Sequence, residues 1–269
     1  MQAINLRYKF NLCRGKIILP LIFFFCFSIQ AWSQARFGPI SKAGQDDRLV
    51  SYGFFLSGHT NFYQLKYSEE FLNGANEYLA NIRSITPVYT PGFGLGFLGV
   101  FRFHDQLNLL LTPKIGFYEF RTDINYFGNE LDPSLINTPI DSPNLPSGRR
   151  TIITEATMVE LPLLFKYKAQ RFNNNRMFFM AGGSAMWRTK IQDEADLETL
   201  VTTGRDFTLE AGMGFDLYFK YFKFSPEIRF SHGLLNIYRP EAMEGVNRQF
   251  GDAISELRRK SITIYLHFQ

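Results

Sequence analysis

Apolar and polar residues alternate along most of the chain after residue 48. In the segment FTLEAGMGFDLY, Phe207 and Phe215 occupy one set of alternate positions. Glu210 and Asp216 occupy the other set. A period of two residues is that of a β-strand whose two faces meet different environments. Eight segments follow this pattern and predict eight strands; the fifth, Arg176 to Lys190, leaves its facing open.

The connections between these strands are alternately short and long. The short ones are His104 to Gln106, the QRFNNNR segment and a turn near Lys220. The long ones cover residues 68–86, 128–150, 191–205 and 237–256. This asymmetry is typical of outer-membrane barrels, which have short periplasmic turns and long external loops. The sequence therefore predicts an all-β fold, an eight-stranded antiparallel up-and-down transmembrane β-barrel.

A soluble barrel or sandwich is the alternative, and it would turn its apolar face inward. Here one face carries large Phe and Leu side chains with almost no charge, while the other carries Gly, Ser, Thr and charged residues. That contrast favours a barrel with lipid outside. Pro113, Pro162 and Pro226 lie inside predicted strands, where each removes a ladder donor, so three bulges or local breaks are expected.

The N-terminal region has the pattern of a secretory signal peptide, predicted at residues 1–33. A basic start precedes an apolar run from Ile17 to Ile29, with small residues Ala31 and Ser33 before a plausible cleavage site. The run is short for a transmembrane helix, which needs about 20 residues, although an uncleaved anchor is the alternative. Residues 34–48 are then a periplasmic N-terminal segment and residues 49–269 the barrel, which predicts localisation in the outer membrane of a Gram-negative bacterium.

Charge and cysteine content narrow the classes of function. The chain has 29 Lys and Arg against 25 Asp and Glu, but the excess of basic residues lies in the predicted signal peptide, so no nucleic-acid partner is expected. Both cysteines, Cys13 and Cys26, also lie there, which leaves no disulfide framework in the mature chain. The expected partner is membrane lipid, and no small-molecule substrate is evident.

The inward positions of the predicted strands carry charges of both signs. An eight-stranded barrel is narrow and its interior is filled by side chains, so these charges are expected to form a paired, structural network rather than a proton or ion path. The predicted network comprises Lys114, Glu160, Lys166, Glu210, Asp216, Glu227 and Arg229. Aromatic residues near the last short turn and the C-terminus are predicted to lie at the membrane interface: Tyr218, Phe219, Tyr221, Phe222 and Phe268.

No catalytic constellation is apparent, so no catalytic residue, cofactor, metal site or enzymatic activity is predicted. Ser231 and His232 are adjacent in a strand, so their side chains point to opposite faces and cannot pair as nucleophile and base. The glycine-rich run from Gly92 to Gly99 lies in an alternating strand with no helix after it, unlike a nucleotide loop. A lipid-modifying enzyme with His59 and His232 at its rim is a less favoured alternative.

Two segments resemble the PorT/SprT proteins of the Bacteroidetes: VELPLLFKYK (Val159 to Lys168) and FKFSPEIRFSHGLLN (Phe222 to Asn236). The resemblance extends over roughly residues 49–269, and SPEIRFSHGL is its specific part. It implies an accessory or assembly role in type IX protein secretion and in gliding motility, with other secretion-system proteins as partners. A general structural or adhesive barrel of the OmpA/OmpX kind is the alternative.

Overall fold

A computed structural model describes residues 46, 48–74, 79, 82–127, 149–189, 200–239 and 252–269. The predicted signal peptide and residues 34–45 and 47 of the N-terminal segment lie outside the described residues. Within these residues the chain forms ten strand segments and one short helix. They are β1 (Val50–Tyr67), α1 (Glu69–Asn73), β2 (Ile82–Val88), β3 (Thr90–Arg102), β4 (Leu107–Leu111), β5 (Lys114–Tyr126), β6 (Arg149–Lys168), β7 (Asn175–Arg188), β8 (Arg205–Tyr218), β9 (Lys223–Gly233) and β10 (Ile254–Phe268).

The strand segments form a closed antiparallel barrel. β2 and β3 are two parts of one strand separated at Tyr89, and β4 and β5 are parts of another separated at Thr112 and Pro113. Each strand pairs with its neighbours in sequence, and β1 pairs with both β10 and β3, which closes the barrel. The predicted eight-stranded up-and-down fold is therefore confirmed.

The two ends of the barrel differ in their connections. Residues 103–106, 169–174 and 219–222 connect strands at one end, which we call the short-turn end. The other connections leave the opposite, long-loop end, where α1 follows β1 directly. Ser68 caps α1 by accepting a hydrogen bond from the Phe71 amide (3.2 Å), and Gly74 ends it in the left-handed region at φ 62°.

The side chains alternate between an apolar outer face and a more polar lumen. Phe54, Phe97 and Phe165 lie on the outer face and are each more than half exposed, whereas Glu227 and Arg229 are buried inside. The strand whose facing the sequence left open follows the same rule, with buried Phe178, Met180 and Met186 inside and exposed Phe179 and Trp187 outside. No helix in the described part of the chain is long and apolar enough to cross a membrane.

The three strand prolines are accommodated by local breaks in the ladders rather than by bulges. Pro113 occupies the gap between β4 and β5. The ladder of β6 with these strands is interrupted at Pro162, although the Thr112 N–H still donates to the Pro162 carbonyl (3.1 Å) and β6 remains paired with β7. Pro226 lies where pairing between β8 and β9 is interrupted, yet it remains opposite Leu266 of β10. The register is the same on both sides of each break, because a missing N–H removes one bond without adding a residue.

Two apolar clusters of described residues lie inside the barrel, and the sequence pattern predicts neither. One occupies the long-loop end and includes Tyr63, Phe120, Ile152 and Leu257, together with Ile237 from the connection after β9. The other lies nearer the short-turn end and includes Phe55, Leu98, Leu164 and Phe178. The lumen is therefore layered, with apolar packing as well as buried charge.

Candidate functional site

One group of buried charges in the lumen centres on Arg229 of β9. Its guanidinium donates to Glu227 through both Nε (3.1 Å) and Nη2, and through Nη1 to Glu210 of β8 (3.0 Å). The same group lies over the Tyr265 ring, 4.1 Å from its centroid. Glu227 also lies 3.1 Å from Nε2 of His267. One arginine thus joins two carboxylates from adjacent strands. In the β8–β9 register Arg229 lies opposite Gly212, between the level of Glu210 and the level of Glu227.

A second group connects β5 to β6 and reaches the first group through Tyr265. Lys114 Nζ lies 3.0 Å from Glu160 and donates a 3.0 Å hydrogen bond to the Tyr265 hydroxyl. The Tyr118 hydroxyl donates to the same Glu160 carboxylate. Lys114 and Glu160 are directly opposite each other in the β5–β6 ladder, so strand register alone accounts for the pair.

The third group lies nearer the short-turn end. Lys166 Nζ donates to Asp216 (2.8 Å) and lies 3.5 Å from the centroid of the Phe178 ring. Ser225 donates a 2.6 Å hydrogen bond to the same Asp216 oxygen. All seven residues of the predicted network thus lie inside the barrel, and each takes part in at least one ion pair.

The mouth at the short-turn end holds a carboxylate from outside the barrel strands. Asp46, which precedes β1, lies 3.5 Å from Lys168, 3.2 Å from Arg176 and 3.4 Å from Lys223, and accepts a hydrogen bond from the Tyr218 hydroxyl. Those four partners belong to β6, β7, β8 and β9, whereas β1 pairs with β10 and β3. Asp46 therefore connects the chain before β1 to the opposite wall of the mouth, and we call this group the mouth latch.

The charges around Asp46 keep it ionised. Burial on its own would raise the pKa of this carboxyl group, but the positive charges of Lys223 and Lys168, the Tyr218 hydrogen bond and the charge of Arg176 outweigh burial. Together they hold the pKa of Asp46 well below its ordinary value. At any pH near neutrality, Asp46 is therefore a carboxylate that is ion-paired with the basic residues of the mouth latch.

The predicted interfacial aromatics divide between the two faces of the barrel. Phe219 and Phe222 stack on each other at 4.8 Å, and Tyr221 is 84% exposed. Phe268 stacks on Phe54 of β1, with ring centroids 5.3 Å apart. For Tyr218 the prediction of an interfacial position is wrong. Tyr218 occupies an inward position of β8, so its ring lies in the lumen, where its hydroxyl donates a hydrogen bond to Asp46.

The histidines do not assemble into a catalytic site. His59 is buried and stacks on Tyr118 at 4.3 Å, and Gly92 leaves space for its ring where a Cβ atom would collide with it. His232 lies on the outer face of β9, and His104 is exposed in a short turn. Among the residues that the structure describes, no group of three His, Cys, Asp or Glu side chains could hold a metal ion.

Sequence alternation could have identified several partners that the predicted network left out. Tyr118, Tyr265 and His267 occupy inward positions in their strands, and a pattern that placed Glu160 and Glu227 inside places these side chains inside as well. Asp46 is different. It lies in a segment without strand periodicity, so nothing in the sequence indicates its contacts with Lys168 and Lys223.

A family model described as "Outer membrane protein beta-barrel domain" matches residues 32–239 of the chain. The solved structures that resemble the chain include OprG from Pseudomonas aeruginosa, with 12% identity, a TM-score of 0.38 and coverage of 80% of this chain and 94% of that chain. Neisserial surface protein A has 9% identity, a TM-score of 0.35 and coverage of 81% and 97%. The outer membrane protease OmpT from Escherichia coli has 9% identity, a TM-score of 0.35 and coverage of 81% and 94%. No curated protein matches the chain significantly.

Proposed function

The chain belongs to the outer membrane protein β-barrel family, and from that premise we propose that it is a non-enzymatic barrel with a closed lumen and a structural or adhesive role. Its place is the outer membrane, with the apolar outer face in contact with lipid. The observation that carries the proposal is the filled lumen. Arg229 with its two carboxylates, the Lys114–Glu160 pair and the Lys166–Asp216 pair occupy the interior in ion-paired layers.

The two ends reinforce this closure. At the short-turn end the mouth latch places Asp46 among cations from three strands. At the long-loop end the apolar cluster fills the space between the strands, with Tyr63 and Phe120 stacked at 4.3 Å. A barrel of eight strands has an interior just wide enough for its side chains, so a filled lumen with two closed ends leaves no route for a solute.

The long-loop end has the features of a rigid support. β5 and β6 pair over twelve residue positions, as far as Asn125 opposite Arg149, and outer-facing Glu119 and Glu155 near that end are polar. A wall that continues above the apolar band, with its own packed core, is a rigid base for the connections at that end. Loops on a rigid scaffold are where barrels of this kind carry binding functions.

The structural or adhesive role can be tested in a strain that lacks the gene. Complementation with the wild-type chain is compared with a variant in which residues 128–148, 190–199 and 240–251 are replaced by short Gly-Ser turns. We expect both to restore outer-membrane integrity against detergent, and only the wild type to restore adhesion to a mammalian cell monolayer. A deletion strain with normal detergent resistance and normal adhesion would contradict the proposal. Replacement of the short turn at 219–222 serves as the control for altered connections.

The second candidate is an accessory or assembly role in type IX secretion and gliding motility, with other secretion-system proteins as partners. It is supported by the resemblance of VELPLLFKYK and FKFSPEIRFSHGLLN to the PorT/SprT proteins. Because a filled barrel cannot conduct folded cargo, such a role would use partner contacts at the loops or rims. A deletion strain that exports type IX cargo at the normal rate would eliminate this candidate and leave the first intact.

The positions of the polar side chains support a non-enzymatic role. His59 is enclosed in the lumen beside Tyr118, whereas His232 lies on the outer face of another strand, so the two cannot act at one rim site. Replacement of both histidines by Ala is expected to leave the lipid A and phospholipid profiles of the cell unchanged. A changed profile in cells with normal amounts of folded barrel would revive the lipid enzyme.

A further inference from the structure

The outer face of the barrel has a groove that crosses several strands at the upper limit of the apolar band. It has a volume of about 880 Å³. Phe62 and Tyr89, whose rings lie 4.4 Å apart, form one wall, and Phe230 and Leu209 contribute to the other side. The small side chain of Ala211 lies between the walls, which leaves the space open. Because the groove lies on the outer face of the barrel, the molecules in contact with it are membrane lipids.

Two residues that can donate hydrogen bonds, a lysine and a histidine, lie side by side at the long-loop edge of this groove. Lys260 of β10 and His232 of β9 are direct partners in the β9–β10 ladder, and both are half-buried on the outer face. Phe62 is the partner of Lys260 on one side, and Leu209 is the partner of His232 on the other. The polar pair is therefore flanked by apolar side chains, and directly opposite residues have Cβ atoms only about 5 Å apart.

Neither side chain is paired with another described side chain of the barrel wall. Among the described residues, Lys260 and His232 form no ion pair or hydrogen bond with another side chain. The acid that interacts electrostatically with His232, Asp206, lies on the inner face of the wall and is buried. The Lys260 ammonium group and an imidazole N–H thus remain available to an acceptor on the lipid side.

The position along the barrel axis determines which lipid is present. On β10 the outward residues Ile264 and Ile262 lie on the short-turn side of Lys260, and Arg258 lies on its long-loop side. The apolar band on this strand therefore ends at Lys260. The groove lies on the long-loop side, and long loops are external in barrels of this family. The surrounding lipid is therefore that of the outer leaflet, where acyl chains carry a phosphorylated sugar headgroup.

We propose that this groove binds a phosphorylated glycolipid of the outer leaflet. The acyl chain lies against Phe62, Phe230 and Ala211, and the oxygens of one phosphate group accept hydrogen bonds from Lys260 and His232. The basic edge of the groove favours an anionic headgroup, and the apolar surface beside it favours the acyl chains to which that headgroup is attached. This site is independent of the lumen, so the proposed structural role and the lipid site can fail separately.

Lipid retention by the purified barrel tests the proposal. Native mass spectrometry from detergent would compare diphosphoryl lipid A, phosphatidylglycerol and phosphatidylcholine at equal mole fractions. The test variant is Lys260→Ser with His232→Ser, and the control is Lys220→Ser with His104→Ser, which removes the same side chains from exposed short turns. Heat-modifiable migration on a gel establishes that each variant is folded.

The wild type and the control are expected to retain lipid A in preference to phosphatidylcholine. Each basic side chain near a membrane surface contributes about 1 kcal/mol toward an anionic lipid, so the test variant should lose about fivefold or more of that preference. Equal retention by the test variant and the wild type would overturn the proposal. Equal retention of lipid A and phosphatidylglycerol by the wild type would also overturn it, because the site would then recognise charge without the glycolipid.

Discussion

Replacement of Arg229 by Met would remove the cation that joins two buried carboxylates. Arg229 is 1% exposed, and its partners Glu210 and Glu227 are each 4% exposed, so water cannot replace the lost interactions. In the variant, Glu227 retains His267 at 3.1 Å, whereas Glu210 retains a long hydrogen bond from Thr208 at 3.4 Å. A buried charge that loses its partner costs about 3–5 kcal/mol, and we expect Arg229→Met to lower the free energy of unfolding by that amount.

The measurement is urea unfolding of the refolded barrel in detergent, followed by far-UV circular dichroism. A triple variant, Arg229→Met with Glu210→Gln and Glu227→Gln, removes the uncompensated charge and should recover part of the loss. Lys220→Met in an exposed short turn is the control for loss of a basic residue and should change the free energy of unfolding by less than about 0.5 kcal/mol. If Arg229→Met unfolded at the wild-type urea concentration, or the triple variant were no more stable than the single one, the account of the charged lumen would be refuted.

Further predictions concern the mouth latch, the lumen and the outer face. Asp46→Asn should lower the free energy of unfolding by about 1–3 kcal/mol at pH 7. Because the pKa of Asp46 is lowered in the folded state, its contribution is complete above the unfolded pKa and is lost as pH falls; urea midpoints of wild type and variant should therefore converge only below about pH 4, and convergence between pH 7 and 5 would contradict the latch. Gly92→Leu should cost about 1–3 kcal/mol in the same urea assay, because its side chain would enter the space of His59, whereas Gly58→Ala, with nothing within 4 Å, should be nearly neutral. Ile264→Arg on the outer face should destabilise the barrel in lipid vesicles by about 2–4 kcal/mol, and wild-type stability there would contradict contact with lipid.

Strand alternation made the fold predictable, since a residue's parity determines whether it faces lipid or lumen. The positions of Glu227 and Arg229 could be assigned in this way, and antiparallel pairing then brought Lys114 opposite Glu160. Parity also places Tyr218 inside, so its assignment to the interface failed because it was read from nearness to a turn rather than from facing.

The apolar part of the lumen followed from a requirement that alternation does not express. A narrow barrel must fill its volume, and large inward side chains are accommodated where a neighbouring inward residue is small. Phe55 is an example, because its ring lies 2.7 Å from where a Cβ atom of Gly96, its direct partner on β3, would be. Such matching depends on the register between strands, and alternation within one strand does not give that information.

The mouth latch could not be predicted because it joins residues far apart in the chain. Asp46 and Arg176 are separated by 130 positions, and Asp46 and Lys223 by 177. The contact depends on the path of a segment without regular structure across a mouth that exists only once the barrel has closed. Long-range pairing of this kind is visible in the structure alone.

The central claim is that the lumen is closed by its own side chains, and ion conductance tests it most directly. Single-channel recording of the purified barrel in planar lipid bilayers, in about 1 M KCl, should show a baseline without discrete conductance steps, because side chains fill the lumen. Heat-modifiable migration on a gel checks that the protein is folded. Reproducible, long-lived conductance steps from the folded wild-type barrel would contradict the account.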